Sequence, residues 1–315
     1  MLILGSQITY KQGEKLMSNS SLPGFKQSFM DVDGIRLSVH ICGQGAPLLL
    51  LHGFPQTHAA WRKIAPDFSQ HFTCVVPDLP GYGESGIPPS VPDHRLYSKR
   101  HIAKNMVGLM QKLGYAVFSV LGHDRGARVT YRMALDHPER IHRIGIIEVI
   151  PTADMWARFN AQMAMKAYHW TFLAQPYPLP ENMIAADPIA YLDWTLKSWT
   201  KGNSLEAIDP VSLKSYRKQF REPERIHAMC EDYRAGAAID CQLDEEDRAK
   251  GHKIAAPLFF IWANNGFPAQ TGDPLGLWRN WADQVEGQAI DCGHFAPEEN
   301  PQAILKYLIP FFKKG

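Results

Sequence analysis

The chain has 315 residues, with 33 Lys and Arg against 32 Asp and Glu for a formal charge of +1, 45% hydrophobic and 21% charged residues. This balance excludes a disordered tail and a general nucleic-acid binder, which needs a basic footprint. Clean apolar runs such as 48–51 fall far short of the roughly 20 residues of a membrane helix.

The N-terminus lacks a basic n-region and a small-residue cleavage site, so it reads as a poor secretory signal. Residues 1–25 are expected to be a loose extension, since termini order only when something ties them down. Segments 27–33 and 35–41 alternate apolar and polar residues around Asp33-Gly34 and predict a hairpin. Short apolar runs follow at 47–51, 73–77, 117–121, 143–147 and 257–262, with a last strand expected at 288–291. Runs of this length, bounded by turn residues, fit strands buried on both faces of a parallel sheet. Helical patterns lie between them, at 103–113 and 127–135. The alternation predicts an α/β fold, a mostly parallel sheet with helices on both faces.

The rhythm breaks over 151–244, which holds four of the eight tryptophans, Trp156, Trp170, Trp194 and Trp199. That stretch reads as a helical insertion, a cap, within one catalytic core made of 26–150 and 245–315. The five cysteines, Cys42, Cys74, Cys230, Cys241 and Cys292, are scattered and form no CxxC pair. They give neither a disulfide framework nor a zinc signature, so no metal is expected and a reducing, cytoplasmic setting is the simplest reading.

Gly122-His-Asp-Arg-Gly126 follows a strand and precedes a helix. It has the G-x-S-x-G nucleophile-elbow shape with Asp124 in the place of serine. His52-Gly-Phe-Pro55 follows an earlier strand, where an oxyanion-hole turn belongs; Phe54 and Arg125 are the candidate oxyanion and pocket residues. Asp291-Cys-Gly-His294 places a histidine after the last predicted strand. The ordered set points to a catalytic Asp124–His294 pair. A carboxylate nucleophile suits displacement at sp³ carbon, giving an ester that histidine-activated water hydrolyses. The chemistry is thereby directed to C–halogen or epoxide carbon and away from ordinary esters.

These segments, with Tyr168-His-Trp170, Phe172-Leu-Ala-Gln-Pro176, Asp232-Tyr-Arg-Ala-Gly236 and Gly293-His-Phe295, resemble the α/β-hydrolase superfamily and, within it, the fluoroacetate (haloacetate) dehalogenases. The resemblance implies an α/β-hydrolase fold with an inserted helical cap, no cofactor and a homodimer. It implies that Arg125 and Arg128 clamp the carboxylate of a small anionic haloacid, with bidentate geometry aiming its α-carbon. It implies that His169, Trp170 and Tyr233 form the halide pocket, their N–H and O–H groups stabilising charge as halide leaves. The two arginines are also expected to keep Asp124 ionised.

The acid that supports His294 departs from the commonest superfamily pattern. The loop after the strand ending at Trp262 reads Ala263-Asn-Asn-Gly266 and holds no carboxylate. Haloacetate dehalogenases carry an Asp after the earlier strand, where this chain has Glu148, one methylene longer. Glu148 is the expected acid and Asp273 the fallback. Trp199 reads as cap core or as a pocket wall. The implied activity converts short 2-haloacids to 2-hydroxyacids such as glycolate plus halide. An epoxide hydrolase is the alternative, with Tyr233 and Tyr168 as ring-opening tyrosines; a non-catalytic ligand binder on the same fold is more remote.

Overall fold

The computed structural model describes residues 21–314. Among them eight strands form one sheet: β1 (Lys26–Val32), β2 (Ile35–Cys42), β3 (Pro47–Leu51), β4 (Thr73–Pro77), β5 (Phe118–His123), β6 (Ile141–Ile147), β7 (Leu258–Ala263) and β8 (Val285–Ile290), in the order β1-β2-β4-β3-β5-β6-β7-β8. β1 and β2 pair antiparallel through a turn in which Asp33 and Gly34 both take positive φ, the backbone that Asp-Gly supplies at a two-residue hairpin. β2 runs antiparallel to β4, and every later pairing is parallel.

The central strands are apolar along their length because both faces are covered. Leu49 and Leu51 of β3 enter one hydrophobic cluster, and Leu48 and Leu50 enter the other. Side chains that alternate across a strand feed both layers of the fold. β8 sits at the sheet edge with a half-exposed alternating pattern, so the expected strand at 288–291 catches only its end.

Eight helices lie between β6 and β7, from Thr152–Ala157 to Ile239–Ala249. Their buried residues Trp170, Leu196, Tyr216 and Tyr233 share one cluster with Phe54, Leu79 and Tyr82 of the sheet-bearing region. The expected insertion is bounded at 151–244. Position 244, however, lies inside the helix Ile239–Ala249, so a break after Ala249 fits the helix ends better.

The loose N-terminal extension needs correction at its end. Residues 1–20 lie outside the described residues. Leu22 and Phe25 are buried in the cluster of Trp61 and Phe68, and Ser21 Oγ lies 2.6 Å from His58 Nε2. Apolar burial and this contact tie residues 21–25 down. No helix among the described residues is long and apolar enough to cross a membrane.

Candidate active site

Asp124 stands between β5 and the helix Arg125–Asp136, with φ 48° and ψ −118°. A non-glycine residue held in that region is strained, a state typical of functional turns. Close packing enforces it. A Cβ at Gly126 would come within 2.2 Å of the Leu51 carbonyl oxygen, and one at Gly53 within 2.4 Å of Asp124 Cβ. The His52-Gly53 turn therefore presses directly on the nucleophile turn. The Phe54 N–H donates to Asp124 Oδ1 at 2.8 Å. Arg125 opens the helix, where N–H groups lack intrahelical partners.

His294 follows β8, and its N–H donates to the Trp199 carbonyl at 2.8 Å. Its Nε2 lies 3.6 Å from Asp124 Oδ2 and its Nδ1 3.5 Å from Glu148 Oε2. Glu148 leaves β6 with φ 62°. Its N–H donates to the Ile261 carbonyl at 2.9 Å, and its Oε1 accepts from the Ala263 N–H. A Cβ at Gly266 would sit 2.8 Å from that Oε1. The end of β7 thus supplies an amide and the carboxylate-free loop after it supplies space, into which the longer Glu148 side chain reaches. Asp273 is engaged elsewhere, capping the helix Pro274–Arg279 by accepting from the Gly276 N–H at 2.8 Å.

Burial would raise the Asp124 carboxyl, but His294, His123 and Arg125 outweigh it and hold it well below the usual carboxylate range. His294 contributes more here than Arg125, which acts in the expected direction. Burial would lower His294, yet Asp124 and Glu148 raise it to about 9. Burial pulls His123 down to about 3, so its neutral ring donates from Nε2 to the His294 carbonyl at 2.7 Å.

Both arginines are buried, and both are partly engaged. Arg125 donates from Nε to Asp232 Oδ2 at 2.9 Å, from Nη2 to Oδ1 at 3.0 Å and from Nη2 to the Asp232 carbonyl at 2.6 Å. Its Nη1 is buried without a partner. The side-on edge of this guanidinium is therefore filled, and the expected bidentate grip on a substrate is not open to it. Arg128 donates from Nη1 to the Ile150 carbonyl and to Thr152 Oγ1, both at 3.0 Å, and keeps a buried, unpartnered Nε. The Trp170 ring lies 4.5 Å from the Arg128 guanidinium, and the Tyr233 ring 4.2 Å from that of Arg125.

His169 and Tyr233 are neighbours, with ring centroids 5.7 Å apart. His169 Nδ1 and the Tyr233 hydroxyl are both buried without a hydrogen-bond partner. Burial lowers His169 to about 3 and raises Tyr233 well above its ordinary value, so both are neutral. Trp170 meets Tyr233 edge-on at 6.3 Å. The Tyr168 ring lies 5.6 Å from that of the exposed Trp194 and 6.0 Å from that of His169.

A profile of the alpha/beta hydrolase fold matches residues 46–301. The chain belongs to the α/β-hydrolase family. This hydrolase is 36% identical over 288 residues to fluoroacetate dehalogenase of Burkholderia sp., covering 91% of this chain and 94% of that protein. It is 30% identical over 284 residues to soluble epoxide hydrolase of Corynebacterium sp. (strain C12), covering 89% and 95%. Among solved structures, ALR0039 from Nostoc sp PCC 7120 is 45% identical with a TM-score of 0.89, covering 92% of this chain and 99% of that one.

The motifs bring together Asp124, His294, Glu148, Phe54, Arg125, Arg128, His169, Trp170 and Tyr233 around one turn of this α/β-hydrolase. Sequence reasoning left Trp199 undecided; its ring lies 4.3 Å from that of His169 and 5.3 Å from that of His294. It also gave Asp232 no role, although Asp232 immediately precedes Tyr233. Nothing in the residue pattern alone says that an acid beside a pocket tyrosine faces an arginine on another element.

Proposed function

We propose that this hydrolase is a hydrolytic dehalogenase of short 2-haloacids, the haloacetates above all. The observation that carries this reading is the buried Arg125 guanidinium beside Asp124, with Nη1 unpartnered and the Tyr233 ring on its face. A buried cation with a free donor next to an anionic nucleophile suits an anionic substrate. The similarity to a protein named fluoroacetate dehalogenase supports it.

In this scheme Arg125 Nη1 and Arg128 hold the substrate carboxylate. Asp124 Oδ2 attacks the α-carbon, and the carbon–halogen bond breaks as the carbon–oxygen bond forms. The leaving halide is met by His169, Trp170 and Tyr233. Neutral donors in a desolvated pocket favour the charge that develops only as halide departs.

Alkylation removes the charge of Asp124, one of the two groups that raise His294. The imidazolium then gives up its proton more readily and becomes the base for water, held by Glu148 at Nδ1. His294 takes a proton from the water as it adds to the ester carbonyl, and the Phe54 N–H steadies the oxyanion on Oδ1. As the Cγ–Oδ2 bond breaks, His294 returns that proton to Oδ2, which leaves in the 2-hydroxyacid. The scheme uses no metal or organic cofactor.

An epoxide hydrolase is the second reading, favoured by the Corynebacterium relative and by the unpartnered Tyr233 hydroxyl. Against it, the buried Arg125 and Arg128 suit a charged substrate better than a neutral epoxide. Halide release from fluoro-, chloro- and bromoacetate, set beside styrene oxide turnover, tests both readings. Release that disappears in Asp124→Asn is expected; styrene oxide turnover with no halide release would reverse the assignment.

A further inference from the structure

We propose that Asp232 is a positioning residue that aims Arg125, so that this guanidinium offers the substrate carboxylate a single nitrogen, Nη1. The inference rests on the reading of Arg125 as a carboxylate-binding group. Asp232 lies on the helix Pro223–Ala237, an inserted helix, whereas Arg125 opens the helix after the nucleophile. A guanidinium carries five N–H donors. Asp232 takes three of them through its two carboxylate oxygens and its own carbonyl. Only the two hydrogens of Nη1 remain, and that nitrogen is buried without a partner.

The same helix fixes the plane of the guanidinium as well as its edge. Tyr233, one residue on, lies against the face at 4.2 Å. Gly236, one turn on, leaves the space: a Cβ there would stand 2.9 Å from Arg125 Nη2. The order Asp232-Tyr233-x-x-Gly236 thus reads as edge, face and clearance for one arginine.

Asp232 is itself held. Its Oδ2 also accepts from the Tyr82 hydroxyl at 2.9 Å, and its Oδ1 pairs with the Lys99 ammonium. Lys99 lies 3.3 Å from Asp240 Oδ2 and donates its backbone N–H to Asp240 Oδ1 at 2.8 Å. Arg125 and Lys99 together face the two carboxylates of Asp232 and Asp240 in this buried cluster. Because Asp232 belongs to the inserted helices, the aim of Arg125 depends on how those helices sit on the sheet.

Charge and aim predict opposite results for Asp232→Asn, which keeps the shape and removes one negative charge. If Arg125 acted only as a charge, anions would bind more tightly. If its aim matters, they bind more weakly. The probes are glycolate and its neutral analogue glycolamide, titrated by NMR into the full-length wild type and variant.

We expect glycolate affinity to fall about tenfold, the loss of one well-made charged contact, and glycolamide affinity to change less than about twofold. Unchanged or tighter glycolate binding, an equal loss for both probes, or a wild type that does not bind glycolate overturns the inference. Should Asp232→Asn fail to fold, Tyr82→Phe carries the test by loosening Asp232 through one hydrogen bond. A roughly threefold loss for glycolate supports the inference, and no loss overturns it. Glycolate binding that depends on Asp232, in a protein that releases no halide, would overturn the dehalogenase reading and leave this inference standing.

Discussion

The Phe54 amide donates to Oδ1 of Asp124 at 2.8 Å, and this one bond makes the two carboxylate oxygens unequal. Oδ2 is left facing His294 Nε2 at 3.6 Å, longer than a hydrogen bond. In the proposed scheme Oδ2 is therefore the atom that attacks, and Oδ1 the atom that becomes the ester carbonyl oxygen. In that scheme, replacing His294 by Gln removes the base for the second step and leaves the first intact. We expect His294→Gln to release about one halide per protein and stop. Intact mass should show a carboxymethyl adduct, which peptide mapping places on Asp124. An inactive His294→Gln without an adduct would count against the ester route.

Glu148 faces Nδ1 of His294 at 3.5 Å while the Ala263 amide holds its other oxygen. Glu148→Gln keeps the shape and removes the charge that fixes and supports the imidazolium. Steady-state turnover should fall about 10²- to 10⁴-fold, with the halide burst retained, because ester hydrolysis needs the base most. Asp273→Ala loses a helix cap worth about 1 kcal/mol and leaves turnover unchanged. The opposite pattern in stopped-flow halide assays would move the acid to Asp273.

The fold was legible because its central strands announce themselves. Runs such as Leu48-Leu-Leu-Leu51 are apolar on both faces only where two layers cover a sheet. β8 was half missed because its solvent side breaks the run. That Asp124, His294 and Glu148 meet was legible because each follows a strand, where chain order maps onto the sheet. Asp232 was not, since its partner Arg125 lies 107 positions away on another element and no local periodicity encodes that meeting. Trp199 was ambiguous for a related reason: an aromatic residue that walls a pocket and one that fills a core have the same composition and differ only in what faces them.

The titration of His294 should depend on Asp124. Its folded value of about 9 exceeds the ordinary 6.5 because Asp124 and Glu148 outweigh burial. For a histidine whose pKa is raised by folding, the stabilisation is complete below about 6.5 and is lost as pH climbs through about 9. In Asp124→Asn, which has the charge of the ester, one of the raising groups is gone. NMR titration of the His294 ring should therefore show a lower pKa in Asp124→Asn than in the wild type. An equal value would mean that alkylation does not release His294 as a base.

Tyr233 presents a buried hydroxyl without a partner beside His169. Fluoride concentrates charge more than chloride and is the poorer leaving group, so it gains most from a preorganised donor. Tyr233→Phe removes only the hydroxyl. We expect kcat for fluoroacetate to fall about 10- to 10²-fold and kcat for chloroacetate by less. Equal losses for the two substrates would make Tyr233 a packing residue and not a halide donor.

Glu298 supplies a prediction independent of any substrate. It lies four residues after His294, buried, in the helix Ala296–Glu299. Its Oε2 accepts from Gln56 Nε2 at 2.6 Å and from the Tyr216 hydroxyl at 3.2 Å. Tyr216 belongs to the inserted helix Pro210–Gln219, so this contact joins the insertion to the sheet region. Burial pushes the carboxyl up to about 8, with Tyr216, Lys63 and Gln56 pulling the other way. Between about pH 4.5 and 8 the folded chain keeps a proton that the unfolded chain has released. Stability must therefore fall as pH rises through that window, the reverse of a salt-bridged carboxylate. Glu298→Gln keeps a neutral group at every pH and escapes the loss. Calorimetric melting of both proteins should show the variant gaining on the wild type from pH 5 to pH 8, by on the order of a few kcal/mol. A difference that stays constant over that range would mean that Glu298 is ionised in the folded protein at neutral pH, and that the joint between Gln56 and Tyr216 is held by a charge.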